Sequence, residues 1–459
     1  MVSSWGPCWL WAEMSFLRDA LSSDPHAPAV EDADGVWSYE DLGREAHGVA
    51  GRLISAGLKM GDVVALDGPL DRHFMACIHG VWKAGGVMAP LNERWTGRER
   101  ARALEEIAPQ WVLPDPKAET SRQNRHTLPP DLPFLEFDGG EPAAHILTSG
   151  TTGNPNIVRI SHGNLWASAM ASKERLGLSP GDRWLGSLSP AHMGGVALIT
   201  RAALLRSTLV LRGPFEVGTF IGLIREGGIG FASLVPTMLM RTLEAWGDSV
   251  VPKSLKCLLI GGAPAPTGLV QDATEKGFPL ALSYGLTEAA SQVATAPPAL
   301  VREKPGTVGP PLSGVEVRVA DSGEIVVRGR TVAAGQLDSD GWLHTGDLGR
   351  MDEDGHLWIT GRLSDRIITG GVNVDPLEVE RVLEGLPWVE EAAVVGIPDS
   401  RWGERVVAAI VEDPTGVSVP PDERDRRLRK EFSPAKRPRE FKEVSFLPRN
   451  RNGKVERGK

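Results

Sequence analysis

The feature that most constrains this chain is a repeated switch between two hydrophobic periods. Tyr39 to Leu58 carries apolar residues at helical spacing and stops at Gly57, and Asp62 to Leu66 then reads as a strand. Phe74 to Lys83 is helical again and ends at Gly85-Gly86. Trp111 to Leu113, Thr208 to Leu211 and Leu255 to Ile260 read as further strands, with Phe215 to Arg225 as a helix. Apolar strands that alternate with helices build parallel sheets covered by helices, because both sheet faces must be buried.

From about Thr307 to Gly361 the texture changes. Val315 to Val319 and Glu324 to Arg328 alternate strongly, with Gly and Asp turns between them, and Leu357 to Thr360 continues the pattern. This predicts a small antiparallel β unit. Beyond Arg362 the pattern predicts a helix over Asp375 to Leu386, with Pro376 in its first turn, then a strand over Ala392 to Val395. Pro414 to Lys430 is rich in proline and charge. A chain of 459 residues exceeds what one core supports, so at least two domains are expected, divided near residues 361–364.

The net charge of -9 argues against a nucleic-acid groove as the main function. Cys8, Cys77 and Cys257 have no metal-ligand spacing and read as reduced thiols of a cytoplasmic protein. No apolar run reaches the roughly 18 residues of a membrane span. Met1 to Trp11 contains three tryptophans but no charged start, long apolar stretch or cleavage site, so it does not read as a signal peptide. Residues 1–13 read as a disordered extension, with Met14 as an alternative start.

Four segments carry chemistry. Thr148-Ser149-Gly150-Thr151-Thr152-Gly153 lies between an apolar strand, Ala144 to Leu147, and a helix starting around Asn164. Glycines let backbone N–H groups turn toward an anion and hydroxyls add donors, which suits a phosphate cradle; a plain surface loop is the alternative. It is not a P-loop, since no Lys-Ser/Thr pair follows. In Ser283-Tyr284-Gly285-Leu286-Thr287-Glu288, the Tyr ring can lie against a flat base and Glu288 can give a hard oxygen to magnesium, although Thr and Glu also suit a helix start. Asp347, after Gly346, can accept from two ribose hydroxyls or make turn contacts only. Arg362 suits a ribose, a phosphate or a surface ion pair, and Gly370-Gly371 a close ligand approach or a turn. The last segment, Pro448 to Lys454, would by itself be a solvated basic tail.

With these segments in this order, the chain resembles the adenylate-forming superfamily of acyl-CoA synthetases, adenylation domains and luciferases, from about Asp24 to Lys454. The resemblance implies an α/β fold with a large N-terminal domain of stacked α/β subdomains and a β-barrel-like unit, residues 14–363. A small mobile α+β C-terminal domain, residues 364–459, would follow a hinge at Ser364. It also implies ATP, Mg²⁺ and coenzyme A. Thr148, Ser149, Gly150, Thr151, Thr152 and Gly153 would contact the β- and γ-phosphates. Gly262, Ala263, Pro264, Ser283, Tyr284 and Gly285 would form the adenine site, with Tyr284 stacking on the base. Thr287 would touch the α-phosphate, Glu288 would hold magnesium, and Asp347 would bind the ribose hydroxyls with help from Arg362. Lys454 would bridge the attacking carboxylate and the α-phosphate, and Gly370 and Gly371 would move beside the pantetheine of coenzyme A. One departure is plain: relatives commonly continue the phosphate loop with Pro-Lys-Gly, whereas here Pro155 is followed by Asn156. Arg159 is the candidate substitute.

Within the superfamily, Gly261 to Pro266, Thr287 to Gln292, Pro190 to Gly195 and Arg362 to Asp365 are similar to the o-succinylbenzoate–CoA ligases of menaquinone biosynthesis. A pocket for such a diacid needs a cation or several donors for the carboxylate that does not react. Arg201 is the candidate, its alternative being a solvent-facing helix arginine, and His192 and Ser291 complete the proposed acid pocket. The expected partners are a small carboxylic acid, ATP and coenzyme A, with no nucleic acid and no membrane span; a homodimer is compatible with the resemblance. Other aryl- or fatty-acyl-CoA ligases, an enzyme charging a carrier protein, and a nucleotide-binding pseudoenzyme are the alternatives.

Overall fold

The computed structural model describes residues 16–121, 139–149, 155–369, 372–399, 402–414, 419–432, 434, 436–449 and 455–456. Gly150 to Gly153, Gly370, Gly371, Lys454 and the expected extension 1–13 lie outside them. Four sheets organise the chain.

The first has the order Trp111–Leu113, Val63–Leu66, Val87–Pro90, Pro142–Ser149, Pro155–Ser161. It is parallel except for the last pair, a hairpin. The second has eight strands, parallel through Leu280–Leu286, Cys257–Ile260, Phe231–Leu234, Arg183–Gly186, Thr208–Leu211 and Pro28–Asp32. Antiparallel strands Ser291–Ala296 and Gly35–Ser38 close its two edges. The helices Tyr39–Ser55, Arg72–Lys83, His162–Leu176 and Met193–Leu205 contribute to the largest hydrophobic core. Local signals explain their starts: Ser38 and Asp41, and Ser161 and Asn164, form reciprocal capping boxes, and Asp71 caps Arg72–Lys83. Tyr39, one of only two tyrosines, is a structural tie; its hydroxyl reaches the carbonyl oxygens of Ala202 at 2.6 Å and Ser207 at 2.8 Å.

The third sheet is antiparallel, in the order Val315–Val319, Glu324–Gly329, Leu343–Met351, Leu357–Arg362. One 3₁₀ turn, Leu363–Asp365, links it to a last sheet built on the long pair Val389–Asp399 and Gly403–Glu412, which has its own core. The segment read only as proline- and charge-rich contains a helix, Pro421–Glu431. Its proline stands in the first turn, Asp422 and Glu423 follow, and Arg429 and Lys430 end it, so the charges complement the helix dipole. Leu428 and Phe432 bury its apolar side. Arg381 donates to the Ile359 carbonyl at 2.7 Å, and Arg366 bonds both Asp375 (2.9 Å) and the Ser322 carbonyl (3.2 Å), fastening this last unit to the third sheet. Among the described residues no helix is long and apolar enough to cross a membrane.

Candidate active site

The C-terminal ends of the parallel strands in the eight-stranded sheet form one rim, the usual ligand position in open α/β sheets. Strand Cys257–Ile260 runs out into Gly261 to Pro264, and the neighbouring strand Leu280–Leu286 carries Ser283, Tyr284 and Gly285. At Gly285 the edge strand crosses so closely that a Cβ would stand 1.8 Å from the Ser291 carbonyl oxygen, and the ladder bulges at Tyr284/Gly285. The return turn is strained: Ala290 and Ser291 have φ of 48° and 102°. Such conformations cost about 1–3 kcal/mol each and persist only where packing over-determines them. Here Ser168 Oγ holds the Ala290 carbonyl at 2.6 Å.

Three residues from two sheets meet beside this rim. The Tyr284 hydroxyl donates to Asp347 Oδ2 at 2.8 Å, and Arg362 Nε donates to Asp347 Oδ1 at 2.7 Å. Asp347 is 8% exposed, so its charge needs both partners. Burial, then the Asp347 charge, push the Tyr284 phenol well above its usual range, which keeps it a donor. Asp347 lies inside a strand, Leu343–Met351, with Arg362 as its cross-strand neighbour. Its carboxylate therefore faces the Tyr284 and Arg362 side chains. The ring of Tyr284 is also 8% exposed and packs in the core under the third sheet.

Thr287 and Glu288 occupy the 3₁₀ turn after Leu286, where a helix start was one expectation. The Glu288 carbonyl accepts from Ala333 N at 2.8 Å, while its half-buried carboxylate has no hydrogen-bond or ion-pair partner among the described residues. A free carboxylate of this kind fits a hard divalent cation. Thr148 and Ser149 end one strand of a hairpin, where a strand-to-helix turn had been expected; a second strand, Pro155–Ser161, intervenes before the helix. Asn156 pairs with Thr148 across this hairpin. Arg159 pairs with His145, three residues on from Asn156 and hence on the opposite face of the strand.

Arg201 is not solvent-facing. It is 2% exposed on helix Met193–Leu205, with Nη2 at 2.6 Å from Gln292 Oε1 and 3.5 Å from Ser291 Oγ. The Trp184 ring lies 5.7 Å from its guanidinium. Burial alone pulls its pKa down to about 10, and no carboxylate pairs with it among the described residues. His192 stands at the other end of the same helix and is exposed, so the fold gathers Arg201 with Ser291 but leaves His192 apart. Ser364 lies in the linking 3₁₀ turn, its hydroxyl on Asp365 at 2.9 Å.

A family model for AMP-binding enzymes matches residues 17–337, well over half the chain. The chain belongs to the AMP-binding enzyme family. A second model, for the C-terminal domain of AMP-binding enzymes, matches residues 378–454. A 2-succinylbenzoate–CoA ligase of Bacillus pumilus is 35% identical, with 94% of each chain covered. The o-succinylbenzoate CoA synthetase of Bacillus subtilis, in complex with its acyl-adenylate intermediate, superposes with a TM-score of 0.82 at 30% identity over 96% of each chain. A double-mutant form of that enzyme, bound to a product analogue, gives a TM-score of 0.68 at 29% identity over the same 96% of each chain.

In this AMP-binding enzyme, sequence reasoning missed the supports of the site. Glu324 accepts from Gly346 N at 3.0 Å and from His344 at 2.9 Å, bracing the turn that precedes Asp347. Gln292 and Thr295 are buried beside Ser283 and were not singled out. Their signal was a polar residue on either side of Val293 and Ala294 in a strand that also carries Ser291.

Proposed function

We infer that this chain is an ATP-dependent carboxylate–CoA ligase that activates 2-succinylbenzoate as an acyl-AMP and transfers the acyl group to coenzyme A, in menaquinone biosynthesis. Full-length identity to a 2-succinylbenzoate–CoA ligase supports the reaction. The observation that carries the choice of acid is Arg201, a buried guanidinium with no carboxylate partner among the described residues. A buried unpaired charge is costly, and the ring carboxylate of 2-succinylbenzoate supplies the missing anion.

In the first half-reaction the succinyl carboxylate attacks the α-phosphorus in line and pyrophosphate leaves. Little covalent help is needed, so positioning and charge neutralisation dominate. In our proposal Asp347 and Arg362 hold the ribose, Gly262 to Pro264 with Ser283, Tyr284 and Gly285 form the adenine site, and Thr287 meets the α-phosphate. Thr148 to Gly153 would hold the outer phosphates. Glu288 would hold Mg²⁺, which when bound neutralises phosphate charge. Lys454 would bridge the carboxylate and the α-phosphate; a single such group is worth about 10²–10³ in rate.

In the second half-reaction the coenzyme A thiol attacks the acyl carbon and AMP leaves. We propose that residues 364–459 turn about Ser364, withdrawing Lys454 and bringing Gly370 and Gly371 to the pantetheine. Cytoplasmic location, where ATP and coenzyme A are available, and a homodimer complete the proposal; sedimentation reads the latter.

The test is a panel of acids supplied with ATP, Mg²⁺ and coenzyme A. AMP release is expected with 2-succinylbenzoate and far less with benzoate, fatty acids or 4-oxo-4-phenylbutanoate, which lacks the ring carboxylate. Preference for a monoacid would overturn the assignment.

A further inference from the structure

Among the described residues, the groups that contact Arg201 are neutral. Its Nη2 sits 2.6 Å from Gln292 Oε1, the Trp184 ring lies 5.7 Å from the guanidinium, and the Ser291 hydroxyl is 3.5 Å away. The Nε is buried and has no hydrogen-bond partner among the described residues. Gln292 is itself 3% exposed, and its other amide atom is committed: Nε2 donates to Thr295 Oγ1 at 2.7 Å, and that hydroxyl donates to Ser283 Oγ at 3.1 Å. Ser283 Oγ in turn reaches the Ala294 carbonyl at 3.4 Å. An amide has one acceptor end and one donor end, so a donor contact to Thr295 obliges Oε1 to face the guanidinium.

From the Arg201–Gln292–Thr295–Ser283 chain we propose that Gln292 is the specificity-determining positioning residue of the acid pocket: it holds Arg201 in place with a neutral acceptor, so the guanidinium keeps its full charge for the ligand's free carboxylate. A carboxylate at position 292 would hold the guanidinium in the same place. It would also neutralise it, and a second anion would then be repelled. A buried Arg–Glu pair leaves no net charge to recruit a diacid, whereas Arg–Gln leaves one. The amide is therefore the element that makes the pocket select for two carboxylates, through Arg201 and without touching the reacting atoms.

This inference rests on the diacid reading above, and its test separates the two. Wild type, Gln292→Glu and Gln292→Met are assayed with 2-succinylbenzoate and with 4-oxo-4-phenylbutanoate, following AMP release. The expected result for Gln292→Glu is a fall of at least about 100-fold in the ratio of kcat/KM for the diacid over the monoacid, carried by KM for the diacid. Gln292→Met, which removes the tether and adds no charge, is expected to lower the ratio about 10-fold. A ratio unmoved in Gln292→Glu, or a common loss on both acids, overturns the proposal. If Gln292→Glu does not fold, the Met variant decides by the same ratio. A wild-type enzyme that ignores the diacid would instead overturn the diacid reading itself.

Discussion

The Tyr284 hydroxyl and the Asp347 carboxylate, 63 positions apart and in different sheets, are joined by a 2.8 Å hydrogen bond. That bond links the rim of the eight-stranded sheet to the strand that carries the proposed ribose ligand. Tyr284→Phe removes one of two side-chain donors to a buried carboxylate, while Arg362 keeps the other. KM for ATP should rise about 5–10-fold in pyrophosphate exchange, with a smaller change in kcat. Tyr39→Phe is the contrast: it loses its bonds to Ala202 and Ser207, and should lower stability in urea by about 1–2 kcal/mol with no change in KM for ATP.

Arg201→Met should separate stability from function. The guanidinium is buried with no anion beside it among the described residues, so an apolar side chain of similar length should leave the melting temperature equal or higher. KM for 2-succinylbenzoate should rise about 30–100-fold. A large loss of stability would mean that the arginine serves the core and not the ligand.

Mild acid should remove the stability that two buried neutral histidines contribute. His79 and His162 are buried, and burial holds both pKa values at about 3, below the ordinary 6.5. The unfolded chain therefore binds more protons below pH 6.5, so this stability is complete above that pH and is lost as pH falls toward 3. Between about pH 7.5 and about pH 5 each histidine should cost about 2 kcal/mol, measured by urea unfolding. His79→Gln should flatten that part of the profile by about half.

Asn156→Lys adds a cation where the resemblance leads one to be expected. Asn156 is exposed and pairs across the hairpin with Thr148, so the new side chain is tolerated there. KM for ATP should fall severalfold, read by pyrophosphate exchange. No change would show that another group already neutralises the leaving pyrophosphate.

Lys454→Ala should abolish acid-dependent pyrophosphate exchange yet still convert acyl-AMP, supplied ready-made, into the thioester. Equal loss of both half-reactions would remove the lysine from its proposed bridging role.

Much of this molecule is legible from short stretches of chain. Capping pairs such as Ser38 and Asp41, the apolar runs at Val63–Leu66 and Cys257–Ile260, and the motifs around Tyr284 and Asp347 are local, and local pattern is what sequence reports. The hairpin strand Pro155–Ser161 and the helix Pro421–Glu431 escaped, because adjacent turn residues in one case and high charge in the other masked their periodicity. Sequence alone also left Arg201 open between solvent and pocket. Tertiary packing took it out of solvent, by laying helix Met193–Leu205 against strand Ser291–Ala296, so that residues 91 positions apart share a hydrogen bond. The physical reason is that side-chain spacing fixes which face of an element is apolar, whereas the polar groups meeting within that face depend on how distant elements are docked.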